Sequence, residues 1–234
     1  MSTSGVSSWS LQRDAVINAA LRKLVVLSGG SPAETYQVTN AAEALNAMIK
    51  SFQADGMPVW AIVKYTFTTQ TNVPSYNIGS GQTLDTPVPL KVVQATRYNG
   101  TGANVPMNVY TNYDYNLLPQ NNNSGPPVNL YYQPFPTYGK INLWPVPSDS
   151  TTTVTISYQR PFEDMVSSTD DFDFPSYWTE ALIWGLAWRL SGEYGIPIQD
   201  RQLLAKEAEM MHEQALSYGT EEGSLYIMPG WVGR

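Results

Sequence analysis

"YWTEALIWGLAWRLSGEYGIP", residues 177–197, carries three tryptophans and almost no charge, and the fold turns on what buries it. A membrane-spanning helix needs about 20 consecutive, mostly apolar residues, whereas the uncharged run here lies only between Glu180 and Arg189. The stretch is therefore not a membrane span. On a helical wheel Trp178, Ala181, Gly185 and Trp188 fall along one side, Leu182, Leu186 and Leu190 along the next, and Trp184 widens the arc. A helix apolar around so much of its girth is covered on several sides. Pro175 stands near its start with Ser176 in position to cap it, and Gly192 and Gly195-Ile196-Pro197 stop it. Either the core of this chain or a neighbouring copy covers it.

Working outward, further helices flank a long β-patterned middle. Ser10 is placed to cap a helix over about 11–27, with Val16, Ala20, Leu24 and Leu27 on one face and Gly29-Gly30 at its end. "SPAE", 31–34, has the form of a capping box; it caps either a short turn, with the helix starting near Thr39 or Asn40, or the helix itself. Ala41, Leu45, Met48, Ile49 and Phe52 give that helix its stripe, which stops at Asp55-Gly56. A last helix over about 199–218 aligns Leu204, Ala208, Met211, Ala215 and Tyr218.

From Trp60 to Tyr158 the hydrophobic period shortens to two. "WAIVKYTFTTQ" and "SYNIG" predict one hairpin, and "LKVVQATRY", Asn99-Gly100 and "ANVPMNVY" a second with a tight turn. "VNLYYQPF", "KINLWPVP" and "TTTVTISYQR" complete a meander of about seven strands, interrupted by the loop "PQNNNSGPP" at 119–127. The expected fold is α+β: a four-helix body formed by the N-terminal and C-terminal helix pairs, with an inserted antiparallel β module and an extended C-terminal tail. Its segments are 8–56 and 174–218 for the helical body, 57–162 for the β module, 163–173 for an acidic connector and 219–234 for the extension. The two helix pairs are expected to meet because each carries an apolar stripe that needs a cover.

Composition narrows the function. The 234 residues suffice for one large core or two modest ones. Only 14% are charged, against about a quarter in most soluble domains, so the surface is rich in uncharged polar groups, as in β-rich structural and binding proteins. A net charge of −7 offers no basic footprint for gripping nucleic acid. The absence of cysteine removes disulfides and thiolate metal sites. The opening "MSTSGVSSWSLQRD" lacks the basic start and apolar run of a signal peptide, so cytosolic synthesis or assembly is expected.

Little catalytic equipment is visible. Glu163, Asp164, Asp170, Asp171 and Asp173 form the one dense acidic cluster. A Ca²⁺ loop would need a Gly at its turn and a Glu in twelfth place, so a solvated connector placing negative charge before a helix N-terminus is the favoured reading. A carboxylate pair such as Glu163 with Asp173 would be the minimum for a cell-wall hydrolase. His212 is the single histidine and has no cysteine for company, which argues for a packed helix residue over a metal or nucleophile site. "GSG" at 79–81 lacks the Lys-Ser/Thr of a phosphate loop, and "NGT" at 99–101 is explained by the hairpin turn. The β-module aromatics would serve a carbohydrate-binding or tail-fibre-like module if they were exposed. No catalytic, cofactor-binding or metal-binding residues are expected, and no cofactor.

The order of several segments resembles the head-to-tail adaptor proteins of short-tailed bacteriophages, of the packaged-DNA-stabilisation type. These are "AAEALNAMIKSFQADGMPVWAIVKYTF", "PVPLKVVQATRY", "YDYNLLPQ…SGPPVNLYY", "GKINLWPVP", "ISYQRPFEDM", "DFDFPSYWTEALIWGLAWRLSGEYGIP" and a close near "EEGSLYIMP", together covering about residues 35–229. The resemblance implies a non-enzymatic virion protein, assembled in the host cytoplasm as a twelve-copy ring beneath the portal. Such a ring joins the portal to tail nozzle, fibre or spike proteins and lengthens the channel for double-stranded DNA, helping to retain it and to allow its ejection. It further implies a portal-contacting tail at Gly223, Ser224, Leu225, Tyr226, Ile227, Met228, Pro229, Gly230 and Trp231. An aperiodic apolar tail also needs a docking surface on physical grounds alone. Within such a ring, Trp184, Gly185 and Trp188 are the expected subunit-interface residues, with Trp184 foremost because it sits off the line of Trp178 and Trp188.

Overall fold

The computed structural model describes residues 11–28, 31–55, 59–100, 102–119 and 123–219. The helices are α1 (Arg13–Lys23), α2 (Thr35–Asp55), the short α3 (Asn112–Asn116), α4 (Thr179–Leu190) and α5 (Ile198–Tyr218). The strands are β1 (Ile62–Thr68), β2 (Ser75–Ile78), β3 (Lys91–Tyr98), β4 (Val105–Tyr110), β5 (Ser124–Gly125), β6 (Asn129–Pro134), β7 (Gly139–Trp144), β8 (Val146–Pro147) and β9 (Thr153–Gln159). Two compact units emerge, one from residues 1–45 and 174–234 and one from residues 46–173.

In the helical unit α4 packs against both α1 and α5. Val16, Ile17, Ala20 and Leu21 of α1 and Leu182, Leu186 and Leu190 of α4 are fully buried. The start of α2 is set by its cap: the Val38 N–H donates to the Glu34 carbonyl, and the Gln37 side chain accepts from the Glu34 N–H at 2.9 Å. That is the reciprocal half of a capping box, shifted three residues from the Ser31–Glu34 pairing suggested by sequence. α1 is shorter than expected, and its proposed cap, Ser10, lies outside the described residues.

The other unit is built on a seven-stranded sheet in the order β1-β9-β3-β4-β6-β7-β2. Strand β9 alternates half-buried and buried positions, the period-two signature of a sheet with one face on a core. Ile78, Leu130, Ile141 and Ile156 are completely buried in that core. The sheet curls, since Phe67 and Tyr76, from the strands at its two edges, meet with ring centroids 5.1 Å apart.

This architecture overturns the four-helix body. The sheet dominates, and the division between the units falls inside α2, after Leu45. The second half of α2 belongs with the sheet unit, where Asn46 and Lys50 hydrogen-bond the main chain of Met165 and Phe162. A periodic stripe shows that a helix must bury a face but does not say against what, and here the stripe of α2 serves two units. The simple antiparallel meander also fails. β1 pairs with β9 and β2 with β7, rather than with each other. β4 and β6 run parallel, because the connection through α3 carries the chain back before β6 begins. The β3–β4 hairpin does form, with Ala95 opposite Met107, but its connection spans residues 99–104 and is not a two-residue turn.

Candidate subunit-interface site

The sequence TEALIWGLAWRL supplies α4 with apolar side chains nearly all round. A turn of 3-10 helix, Ser176–Trp178, leads into it, and the Thr179 hydroxyl donates to the Ser176 carbonyl at 2.7 Å. Ser176 makes no capping bond. Trp178 is buried between Phe174, at 5.4 Å between centroids, and the His212 ring, which meets it edge-on at 5.6 Å. His212 is thus a packed helix residue.

The three interface residues expected from sequence occupy different environments. Gly185 is buried within the helical unit. Trp188 lies on the outer side, 44% exposed. Trp184 is half-buried: the Lys23 ammonium stands 4.1 Å from its ring centroid, and its indole N–H donates to Glu180 at 3.0 Å. A cation over an indole face contributes about 0.5–1 kcal/mol at such a partly wet site.

Beside Trp184 opens a groove of about 460 Å³ between the C-terminal end of α1 and the first turns of α5. Leu24, Val25, Ile196, Leu203 and Leu204 supply its apolar walls, and Lys23, Asp200 and Glu207 its charged rim. Val25 is the unexpected member. Its N–H donates to Arg22 and that of Val26 to Leu21, a Schellman closure that puts Val25 in the left-handed region at φ 58°. Glycine is usual there, and a β-branched residue is strained. Val25 is nevertheless 87% exposed. Sequence reasoning missed this because the valine extends the apolar run of α1, and nothing in the letters marks a left-handed cap.

The acidic connector is internally committed. Asp164 pairs with Lys50 at 2.6 Å, and Asp170 accepts the N–H groups of Val166 and Ser167 at 2.8 and 2.6 Å. Asp173 clasps Arg160 with both oxygens and also accepts the Glu163 N–H. Donating to the Asp173 carboxylate raises the Arg160 pKa above its ordinary value against the opposing effect of burial. An Asp173 held in this way is a structural counter-ion, a poor partner for Glu163 in acid–base chemistry. No cluster of three or more metal-ligating side chains occurs among the described residues. Aromatic pairs of the sheet unit stack on one another, Trp60 on Phe162 at 5.0 Å and Tyr115 on Tyr131 at 5.2 Å. No helix among the described residues is long and apolar enough to cross a membrane. The tail residues Gly223, Ser224, Leu225, Tyr226, Ile227, Met228, Pro229, Gly230 and Trp231 lie outside the described residues.

The connector carboxylates Asp164, Asp170 and Asp173 are paired within their own unit, and the helical unit carries an apolar groove lined by Trp184, a surface suited to protein contacts. The chain belongs to the SU10 adaptor protein family, whose model matches residues 10–223. Members of this phage adaptor family are virion components, structural and not typically enzymatic, that interact with other head and tail proteins. No curated protein matches the chain.

Proposed function

We propose that this adaptor forms a ring, twelve copies in number, between the portal and the tail of a short-tailed phage. The ring extends the DNA channel, helps to retain the packaged genome and lets it pass at ejection. It is assembled in the host cytoplasm. Residues 223–231 reach the portal, and the α4 surface of Trp184 and Trp188 meets the neighbouring subunit, with Gly185 beneath keeping the helix thin. Family membership over residues 10–223 carries the reading. Two features support it: Trp188 stays 44% exposed on a helix whose other exposed residues, Glu180 and Arg189, are charged, and large aromatics are favoured as interface anchors. A net charge of −7 also suits a conduit, because it holds passing phosphates weakly.

The test is the native mass of the chain, of the portal from the same phage, and of the two mixed. A complex carrying about a dozen added copies, the number proposed for the ring, establishes the role. No association, with the chain alone a stable small oligomer, sinks it in favour of a tail or glycan-binding component.

A further inference from the structure

We infer that the groove beside Trp184 is a docking site for this chain's own C-terminal segment, residues 225–231, which covers the Trp184 surface until the segment is drawn away. The inference rests on the reading above that Trp184 belongs to the subunit interface and the tail to the portal contact.

The groove needs an apolar occupant. Leu203 is 63% exposed and the strained Val25 more so, and covering such side chains is favourable in proportion to the apolar area removed from water. Residues 223–233 supply an occupant without charge, with Leu225, Tyr226, Ile227, Met228 and Trp231 within 7 positions. No ion pair has to be broken or buried, and the rim charges of Lys23, Asp200 and Glu207 stay in water.

Reach permits the contact. Helix α5 rises about 1.5 Å per residue, which places Leu204 some ~21 Å from Tyr218 at its end. An extended chain covers about 3.3 Å per residue, so residue 225 extends ~23 Å beyond Tyr218 and residue 231 ~43 Å. A segment doubling back along α5 therefore arrives at the groove with slack. Met210 and Leu203, two turns apart on one face and both exposed, mark an apolar lane along that route.

Tethering decides between this segment and that of a second copy. A segment joined to the groove's own chain by a few residues meets it at an effective concentration of about millimolar, far above the concentration of free chains early in assembly. A portal that binds the tail removes it from the groove and bares Trp184 for the adjacent subunit, so rings grow on the portal and not in free solution.

The chain has no cysteine, which makes disulfide trapping clean. The full-length double variants Leu203→Cys with Met228→Cys and Val25→Cys with Trp231→Cys are oxidised as free chains, with Tyr113→Cys plus Met228→Cys as control. The expected result is an intramolecular link in either groove pair, formed at least about ten-fold faster than in the control, as preferential residence requires. Links at the control rate, or links only between chains when single-cysteine variants are mixed, overturn the own-chain assignment. Each linked chain is then offered to the portal before and after reduction. Assembly that recovers on reduction supports the masking role, and equal assembly in both states refutes it while leaving the adaptor reading intact. The unsubstituted chain is offered in parallel, because Met228 and Trp231 lie in the segment assigned to the portal. If it too fails to join, the adaptor reading fails; if only the variants fail, the substitution has cost the portal contact, and the trapping result decides the groove alone.

Discussion

Asn46 grips the main chain of Met165 from both sides: its Oδ1 accepts the Met165 N–H at 2.9 Å, and its Nδ2 donates to the Met165 carbonyl at 3.0 Å. Met165 is itself buried, so removing the amide strands two polar groups away from water. Asn46→Ala is expected to cost about 2–3 kcal/mol, the penalty for orphaned buried partners. Asn46→Asp, which keeps an acceptor and loses the donor, falls between. Urea unfolding checks both, and an Asn46→Ala chain as stable as the parent refutes the clamp.

Tyr132, two residues along β6 from Pro134, the cross-strand partner of Gly139, lays its ring over the glycine, so that a Cβ at Gly139 would overlap it. Strand β6 pairs directly with β7 here, and the Tyr132 ring is tied by its hydroxyl to the Pro89 carbonyl, so it moves aside only by giving up that bond. Gly139→Ala is expected to destabilise by about 1–3 kcal/mol through overpacking. A second variant, Gly139→Ala with Tyr132→Ala, isolates the clash: the two changes are expected to cost less together than the sum of each alone.

The same tyrosine sets an alkaline limit. Burial pushes the Tyr132 hydroxyl up from 10.0 to about 12, and its O–H donates to the Pro89 carbonyl at 2.5 Å. The folded chain thus holds the proton more tightly than the unfolded chain. This stability is fully present below about pH 10 and is lost as pH rises through about 12. Burial likewise raises Tyr76, Tyr115 and Tyr194, adding to the slope with the same sign. Tyr132→Phe is expected to flatten the fall in melting temperature across that window. An unchanged fall would move the effect to the other tyrosines.

The elements were largely legible in the sequence; their partners were not. Period two marked the strands that became β7 and β9, whose burial alternates along the chain; β3, interrupted by a bulge between Val92 and Gln94, and β6 alternate less cleanly, and Asn99-Gly100 marked the β3–β4 reversal. Strand order depends on contacts far apart in the chain. Nothing in "WAIVKYTF" announces that it pairs with residues 153–159 rather than with the next strand. The stripe of α5 was half legible: Ala208 and Ala215 are buried, whereas Tyr218 is exposed. At the candidate site, the girth of α4 was readable from its tryptophans. The groove was not, since it depends on Val25 taking a conformation that its side chain disfavours.

That conformation is testable by itself. Val25 has φ 58° and little contact to lose, and a left-handed L-residue costs about 1–2 kcal/mol. In a chain cut after Gly219, with no tail to dock, Val25→Gly removes this strain and adds unfolded-state entropy, so a net gain of about 0.5–1 kcal/mol is expected; the full chain is expected to gain less, because the tail loses a contact. Val25→Ala should gain less, since its Cβ keeps part of the clash. A destabilised Val25→Gly would show that the valine is held by contacts that offset its strain. In that case the groove wall is already occupied.

Trp184 and Trp188 separate assembly from folding. Trp188 is 44% exposed, and Trp188→Ala should change the melting temperature of the free chain little, by the equivalent of under about 1 kcal/mol. Trp184 also carries the Lys23 contact and the bond to Glu180, so Trp184→Ala should cost about 1–2 kcal/mol in folding. Hot-spot aromatics lose at least about 2 kcal/mol of association when truncated, and a ring repeats that loss at every junction. Both variants should therefore lower the yield of portal-bound rings far more than they lower the melting temperature. If Trp184→Ala lowers the two in proportion, the residue belongs to the core of its own chain and not to the junction. If Trp188→Ala leaves ring yield untouched, the outer side of α4 faces solvent in the assembled ring.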